Sequence, residues 1–464
     1  MPGRGGIPGA ILLAAMALGA PQHAPAQAAI NWDNALGGAY DVAGNWDLAQ
    51  VPTSSDSVTV ALAGTYTIDV SAANAAADVL NITNPDASID ITAGAVARSL
   101  SAATSLSNAG TINMSTTGSG IVTLAAFSGT VTNSGTINAL NGGGSGTHRF
   151  SIQTLNNAAA GDININRDTE YVDFGGVFSN SGDVAVAAGQ TLSFGNSTTF
   201  NQDGGTLDVQ GSFLMSTDTF NFNGGTITGV VDMTGGGTLA IGAGSTGAGE
   251  FNIVGGSTAY SGELAAAQTV NINAAAVAAG LNAASSFAND GTINLNTGGS
   301  AIATLSATAS TITNNSVINV NPGGGSGANR LSIAVLQNAA GGTINIGKDT
   351  DFFQFGGDFN NEGDVNVAAG QTLTFGNSTT FNQDGGTLDI DGVFRMSTDT
   401  FNFNGGTITG EVDMVGGGTL AIGAGSTGAG EFNIAGGSTA YSGDLAAAQT
   451  VNINAAAVLA NLNA

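Results

Sequence analysis

The sequence has no cysteine, only seven Lys and Arg together, two His and two Trp in 464 residues. Without Cys there is no disulfide framework and no thiolate zinc or iron–sulfur site. Seven cations against 33 Asp and Glu leave a formal net charge of −26, which argues against nucleic acid and anionic lipid as partners. Only His148 lies beyond the first 28 residues, so no Ser/His/Asp arrangement stands out and zinc is a poor expectation. No apolar run beyond the amino terminus approaches the ~20 residues that a membrane-spanning helix needs.

Glycine is abundant instead, with 73 residues, well above the usual share of about 7%. That disfavours long packed helices. Hydrophobic residues still make up 42% of the chain, too many for a disordered polyelectrolyte.

Residues 1–28 read as a secretory signal peptide. Arg4 gives the positive start, 7–20 the short apolar stretch, and Ala26-Gln27-Ala28 the small-x-small cleavage pattern. The expected location is therefore extracellular or at the cell surface, and an exported chain without Cys fits a bacterial envelope.

The strongest signal is internal repetition. Residues 182–276 recur at 363–457 with few changes, an offset of 181. The same offset carries Gly110 to Gly291, Arg149 to Arg330, Arg167 to Lys348 and Asp168 to Asp349. The layout reads as signal peptide 1–28, cap and first rungs 29–93, first unit 94–274, second unit 275–455, and a stub of a third unit at 456–464.

Inside each unit the pattern Asn-x-Gly-Thr-Ile returns, as at Asn108-Ala109-Gly110 and Asn133-Ser134-Gly135. Glycines 110, 135, 161, 182, 205 and 225 are 20–26 residues apart. Asn and Gly tolerate positive φ, so Asn-x-Gly predicts a tight corner. Thr-Ile-x-Ile then predicts a short strand with Thr outward and Ile inward. Rungs of this length stack because one strand cannot bury its face alone. The expected fold is all-β, a right-handed parallel β-helix (β-solenoid) of about 20 rungs with an N-terminal capping segment. Phe200 and Phe220, and likewise Phe381 and Phe401, should stack inside it, with Asn201 and Asn221 forming an outer ladder. Trp32 and Trp46 should close the first end.

The Asn-x-Gly-Thr-Ile rungs, the Gly/Ala/Thr/Asn composition and the leader resemble bacterial autotransporter passengers and filamentous-haemagglutinin-like adhesins. The opening Asn31-Trp32, Gly44-Asn45-Trp46, Val51-Pro52 and 56–60 resemble a module that begins such solenoids. The resemblance implies an adhesive or structural rod at the Gram-negative outer membrane. It also implies a C-terminal membrane barrel. The sequence ends at 458–464 without one, so an outer-membrane export partner or a separate barrel is expected.

Chemistry is sparse. The best charged cluster is 167–173, with Arg167, Asp168, Glu170, Tyr171 and Asp173. Glu170 and Asp173 would be an acid/base pair in a β-helix polysaccharide lyase or hydrolase. In the second unit the cluster reads Lys348, Asp349, Asp351, Phe352 and Gln354, which a retained catalytic site would not do. The plainer expectation is a loop ion pair of Arg167 or Lys348 with the adjacent Asp. The glycine-rich stretches 142–146 and 323–327 lack the Lys-Ser/Thr of a phosphate loop and are expected as surface excursions. Asp203, Asp208, Asp384, Asp389 and Asp391 near turns make Ca2+ conceivable, though a solvated acidic surface explains them.

The expectation is thus a non-enzymatic rod with no catalytic, cofactor or metal residues. It would bind glycans or other rods multivalently through repeated polar faces. The alternatives are a carbohydrate-active enzyme and an ice-binding solenoid, which would need a regular Thr-x-Thr face.

Overall fold

A computed structural model describes residues 27–195, 197–454 and 459–464. The expected signal peptide lies outside these, apart from Gln27 and Ala28, as does the start of the expected stub.

The strands follow from alternation. In Thr136–Leu140 the burial alternates, Ile137 being fully buried and Thr136 and Asn138 half-buried. Four residues is the commonest strand length, and many strands end at glycine or asparagine corners. Each pairs in parallel with the strand about 20–26 residues later, as in Thr136 with Asp162 and Phe200 with Phe220. The result is a parallel β-solenoid with three faces.

The first face opens with Gly38–Ala39 and Tyr66–Val70. The second opens with the leading half of Ala75–Ile82. The third runs without a break from Ala29–Asn31 to Gln449–Ile453, through twenty strands. The other two faces hold fewer strands, because loops replace them in places, and the coil makes about 17 turns overall. The expected figure of about 20 matches the longest face. That face keeps a strand even in turns where loops replace the strands of another face.

The interior is one apolar column. Phe200 and Phe220 stack with ring centroids 5.4 Å apart and planes 18° apart, and Phe381 and Phe401 repeat this at 5.3 Å and 19°. At the first end Trp32 and Trp46 meet edge to face at 4.9 Å, and Tyr66 stacks on Trp32. Both indole N–H groups donate to backbone carbonyls, of Asn34 and Tyr40. This aromatic plug covers the first turn's apolar interior, as a terminal repeat must.

The corners are built differently from the sequence expectation. Asn108, Asn133, Asn157 and Asn180 are fully buried, and each donates from Nδ2 to the amide oxygen one rung on, ending at Gln202. The second unit repeats the ladder from Asn289 to Gln383. The glycine two residues later is needed for space. A Cβ on Gly135 would overlap the carbonyl oxygen of Gly110, and one on Gly182 that of Gly161. Of glycines 110, 135, 161, 182, 205 and 225, only Gly205 (55°) and Gly225 (75°) have positive φ, as do their unit-two equivalents Gly386 and Gly406.

The two units do not point the same way. Eight pairings along the third face lead from the strand ending at Asn108 to Ala279–Ala283. The residue equivalent to Asn108 is Asn289, and it lies one strand further, on the first face, bridged to Leu264 below. The Thr-Ile-Asn-Ile strands, on the first face in unit one, continue on the second face in unit two. A 181-residue unit is therefore eight turns and one face. Between Thr226–Thr228 and Phe287–Asn289 the first face carries loops instead of strands.

Candidate functional site

The charged cluster at 167–173 does not assemble as expected. Arg149, outward on the second face, pairs with Glu170 on the next strand at 2.9 Å, the one ion pair among the described residues. Arg167 donates to the Asn141 side chain at 3.2 Å, not to Asp168. Asp168 instead accepts the backbone N–H of Thr191. Lys348 is buried, and its Nζ donates to the carbonyl of Gly325 at 2.7 Å and of Thr297 at 3.5 Å. The expected loop ion pairs are thus replaced by bonds to the rung below, because stacked carbonyls lie closer than the neighbouring Asp. Glu170 is committed to Arg149. Asp173 has its pKa raised by burial, with an unpartnered Oδ2.

In unit two Asp351 stands where Glu170 stood, one methylene shorter, and Phe353 replaces Val172. Arg330 lies over the Phe353 ring at 4.6 Å to the centroid. A cation–π contact there takes the place of the ion pair.

The glycine-rich stretches are part of the stack, not excursions. The N–H groups of Gly144 and Ser145 donate to Thr116 and Gly118 below, and a Cβ on Gly144 or Gly146 would meet that backbone. In 142–146 the N–H groups of Gly143, Gly144, Ser145 and Gly146 are all used within the coil, and in 323–327 that of Gly327 is. His148 is fully buried, with neither ring nitrogen hydrogen-bonded. Burial, with the nearby Arg167 charge second, pushes its pKa down to about 4. Asn329 takes the same place in unit two, also buried with its amide unpartnered.

Among the described residues no three His, Asp or Glu side chains gather to hold a metal ion. Asp203 and Asp384 each accept from an asparagine one rung on, Asn223 and Asn404. Asp208 accepts from Gln210, and Asp389 and Asp391 border a shallow cleft of about 230 Å3.

The outer surface is dominated by amide ladders. On the second face Asp232, Asn252, Asn271, Asn294, Asn319, Asn345 and Asn366 are linked rung to rung at 2.8–3.0 Å. Asn201 and Asn221 form the expected link on the third face, at 2.7 Å.

A recess lies on the third face, beginning where the units join. One cleft of about 520 Å3 includes Ser257, Val277, Gly280, Asn282, Thr304 and Ser306 in its lining. A second of about 500 Å3 shares Thr304 and Ser306 and continues to Arg330, Ser332, Phe353 and Phe355. Phe353 is 49% exposed and Phe355 80%. Sequence reasoning passed over this groove. Its only trace was the change of Val172 to Phe353 between units, and nothing in a linear reading places Gly280, Thr304 and Ser332 side by side.

The chain matches no family model, no curated protein and no solved structure.

Proposed function

We propose that the chain is an exported structural or adhesive rod of the cell surface or extracellular space, in the manner of an autotransporter passenger, contacting other polymers through its repeated polar faces. The observation that supports it most is the outer surface: long rows of Asn and Thr amides and hydroxyls on a rigid coil, held by ladders that need no cofactor. Such rows suit many weak hydrogen bonds acting together.

Within this reading the repeated polar faces do not all look the same way. Because unit two is turned by one face, equivalent patches look to different sides of the rod. The rod would engage partners around its circumference, and would bridge separate chains more readily than lie flat on one surface.

Fractionation of producing cells with intact-mass analysis tests the proposal. The processed chain is expected in the outer membrane fraction or the medium. A cytoplasmic pool with an uncleaved amino terminus would overturn it.

A further inference from the structure

We infer that the groove on the third face at the unit junction binds a strand of neutral polysaccharide. The inference deepens the reading of the chain as a polymer-contacting rod by giving one partner's chemistry and its seat.

The groove exists because small residues face outward on successive strands. Gly280, Thr304, Ser306 and Ser332 stand on neighbouring rungs of the third face, where larger side chains would fill the space. From Gly256–Ser261 to Asn329–Asn338 the floor crosses three rung spacings, about 14 Å at ~4.8 Å each, and ends against the wall at 353–355. That is a trough along the rod axis, the shape for an extended chain and not for a compact ligand.

Its chemistry selects among chains. The floor offers hydroxyls from Ser257, Thr304, Ser306 and Ser332, and the amide of Asn282. The far end presents two phenyl rings, flanking Gln354. Sugar rings match this combination, with hydroxyl rims for the polar floor and C–H faces for the aromatics. No carboxylate lines either cleft, although the chain carries 33 Asp and Glu. The sole cation in the lining, Arg330, lies over the Phe353 ring. A polyanion would face the repulsion of a chain of net charge −26 with this single cation to offset it. An apolar peptide would leave the hydroxyl floor unpaired. An uncharged glycan meets neither obstacle. Phe127 and Phe174 are also open to water, but Phe353 and Phe355 are two exposed rings in one groove wall, and such a pair marks a contact site.

The test uses the full chain without its leader, in affinity electrophoresis through gels holding a neutral glucan, xylan, mannan or galactan, with polygalacturonate for comparison. The variants are Phe353→Ala/Phe355→Ala, in which both rings are already exposed, and Phe174→Ala, the unit-one equivalent of Phe355. Unchanged circular dichroism and melting temperature show that each variant is folded. At least one neutral polymer should retard the wild type. The double variant should lose affinity about tenfold or more, the loss of two ring contacts, and Phe174→Ala should not. Retardation by none of the neutral polymers, or by polygalacturonate alone, would overturn the assignment. Equal retardation of wild type and double variant would overturn the groove while leaving the rod reading intact, which cell fractionation tests by itself.

Discussion

Asn133 donates to Asn157 across 2.8 Å, and neither side chain touches solvent. Each is one step in a ladder along the inside of a corner, where a polar group without a partner would cost more than the bond contributes. Asn157 is further tied to Gly161 and Asp183 carbonyls and donates onward to Asn180. Asn157→Ala should destabilise the chain by about 1–3 kcal/mol, since it takes the acceptor from the Asn133 amide on one side and the donor from the Asn180 oxygen on the other. Urea unfolding followed by circular dichroism reads this as a lower midpoint. An unchanged midpoint would show that water fills the gap.

The glycines separate into two kinds. Gly135→Ala should cost about 1–3 kcal/mol or more, because its Cβ would press on the backbone of the rung below. Gly376→Ala meets nothing within 4 Å and should change stability by less than about 0.5 kcal/mol. Thermal melts of the two variants side by side check the contrast.

His148 makes stability depend on pH. Its folded pKa of about 4 lies below the ordinary value of 6.5, so the unfolded chain binds the proton more readily. The neutral ring's contribution is fully present above about 6.5 and is lost as pH falls towards 4. The loss is on the order of 3 kcal/mol at ~1.4 kcal/mol per pKa unit. His148→Asn copies the residue that unit two holds in this place. It should flatten the difference between unfolding midpoints at pH 7 and pH 4.5, and a variant with the wild-type slope would rule the ring out.

Removing residues 94–274 joins the cap to unit two in the same strand order, because 268–274 repeat the role of 87–93. The shortened chain should fold with a β-type spectrum. Its longest dimension by small-angle scattering should fall by about 40 Å, eight rungs at ~4.8 Å each. A deletion ten residues shorter, about half a rung, should disrupt the junction and lower the melting temperature sharply.

The repeat and the alternating strands told most of the architecture in advance. Ile137 and Phe200 face inward for the same reason that any alternating strand has two sides, and their spacing placed Phe220 above Phe200. The roles of Asn133 and Gly135 were legible only in part. Asn-x-Gly marks a corner in any chain, but a buried amide ladder and a glycine pressed against the rung below appear only once turns are stacked. Arg167 and Lys348 misled because sequence neighbours suggest carboxylates, whereas a coil brings carbonyls from the preceding turn closer. Asp218, buried and accepting from Thr198 and Ser216, left no signal beyond the Ser-Thr-Asp that both units share. The groove depended on which small residues fall on one face. That in turn depended on the loops between 229 and 286, which break the first face without breaking the glycine rhythm.

The extra face in each unit gives the rod a phase. Tandem duplication of such a segment adds length and also advances the surface pattern like a thread on a screw. A second copy looks aside from the first and a third looks to the remaining side. Only a fourth returns to the starting direction. Selection for a one-sided surface would therefore have to act on units taken three at a time, whereas selection for bridging in several directions is served by a single duplication.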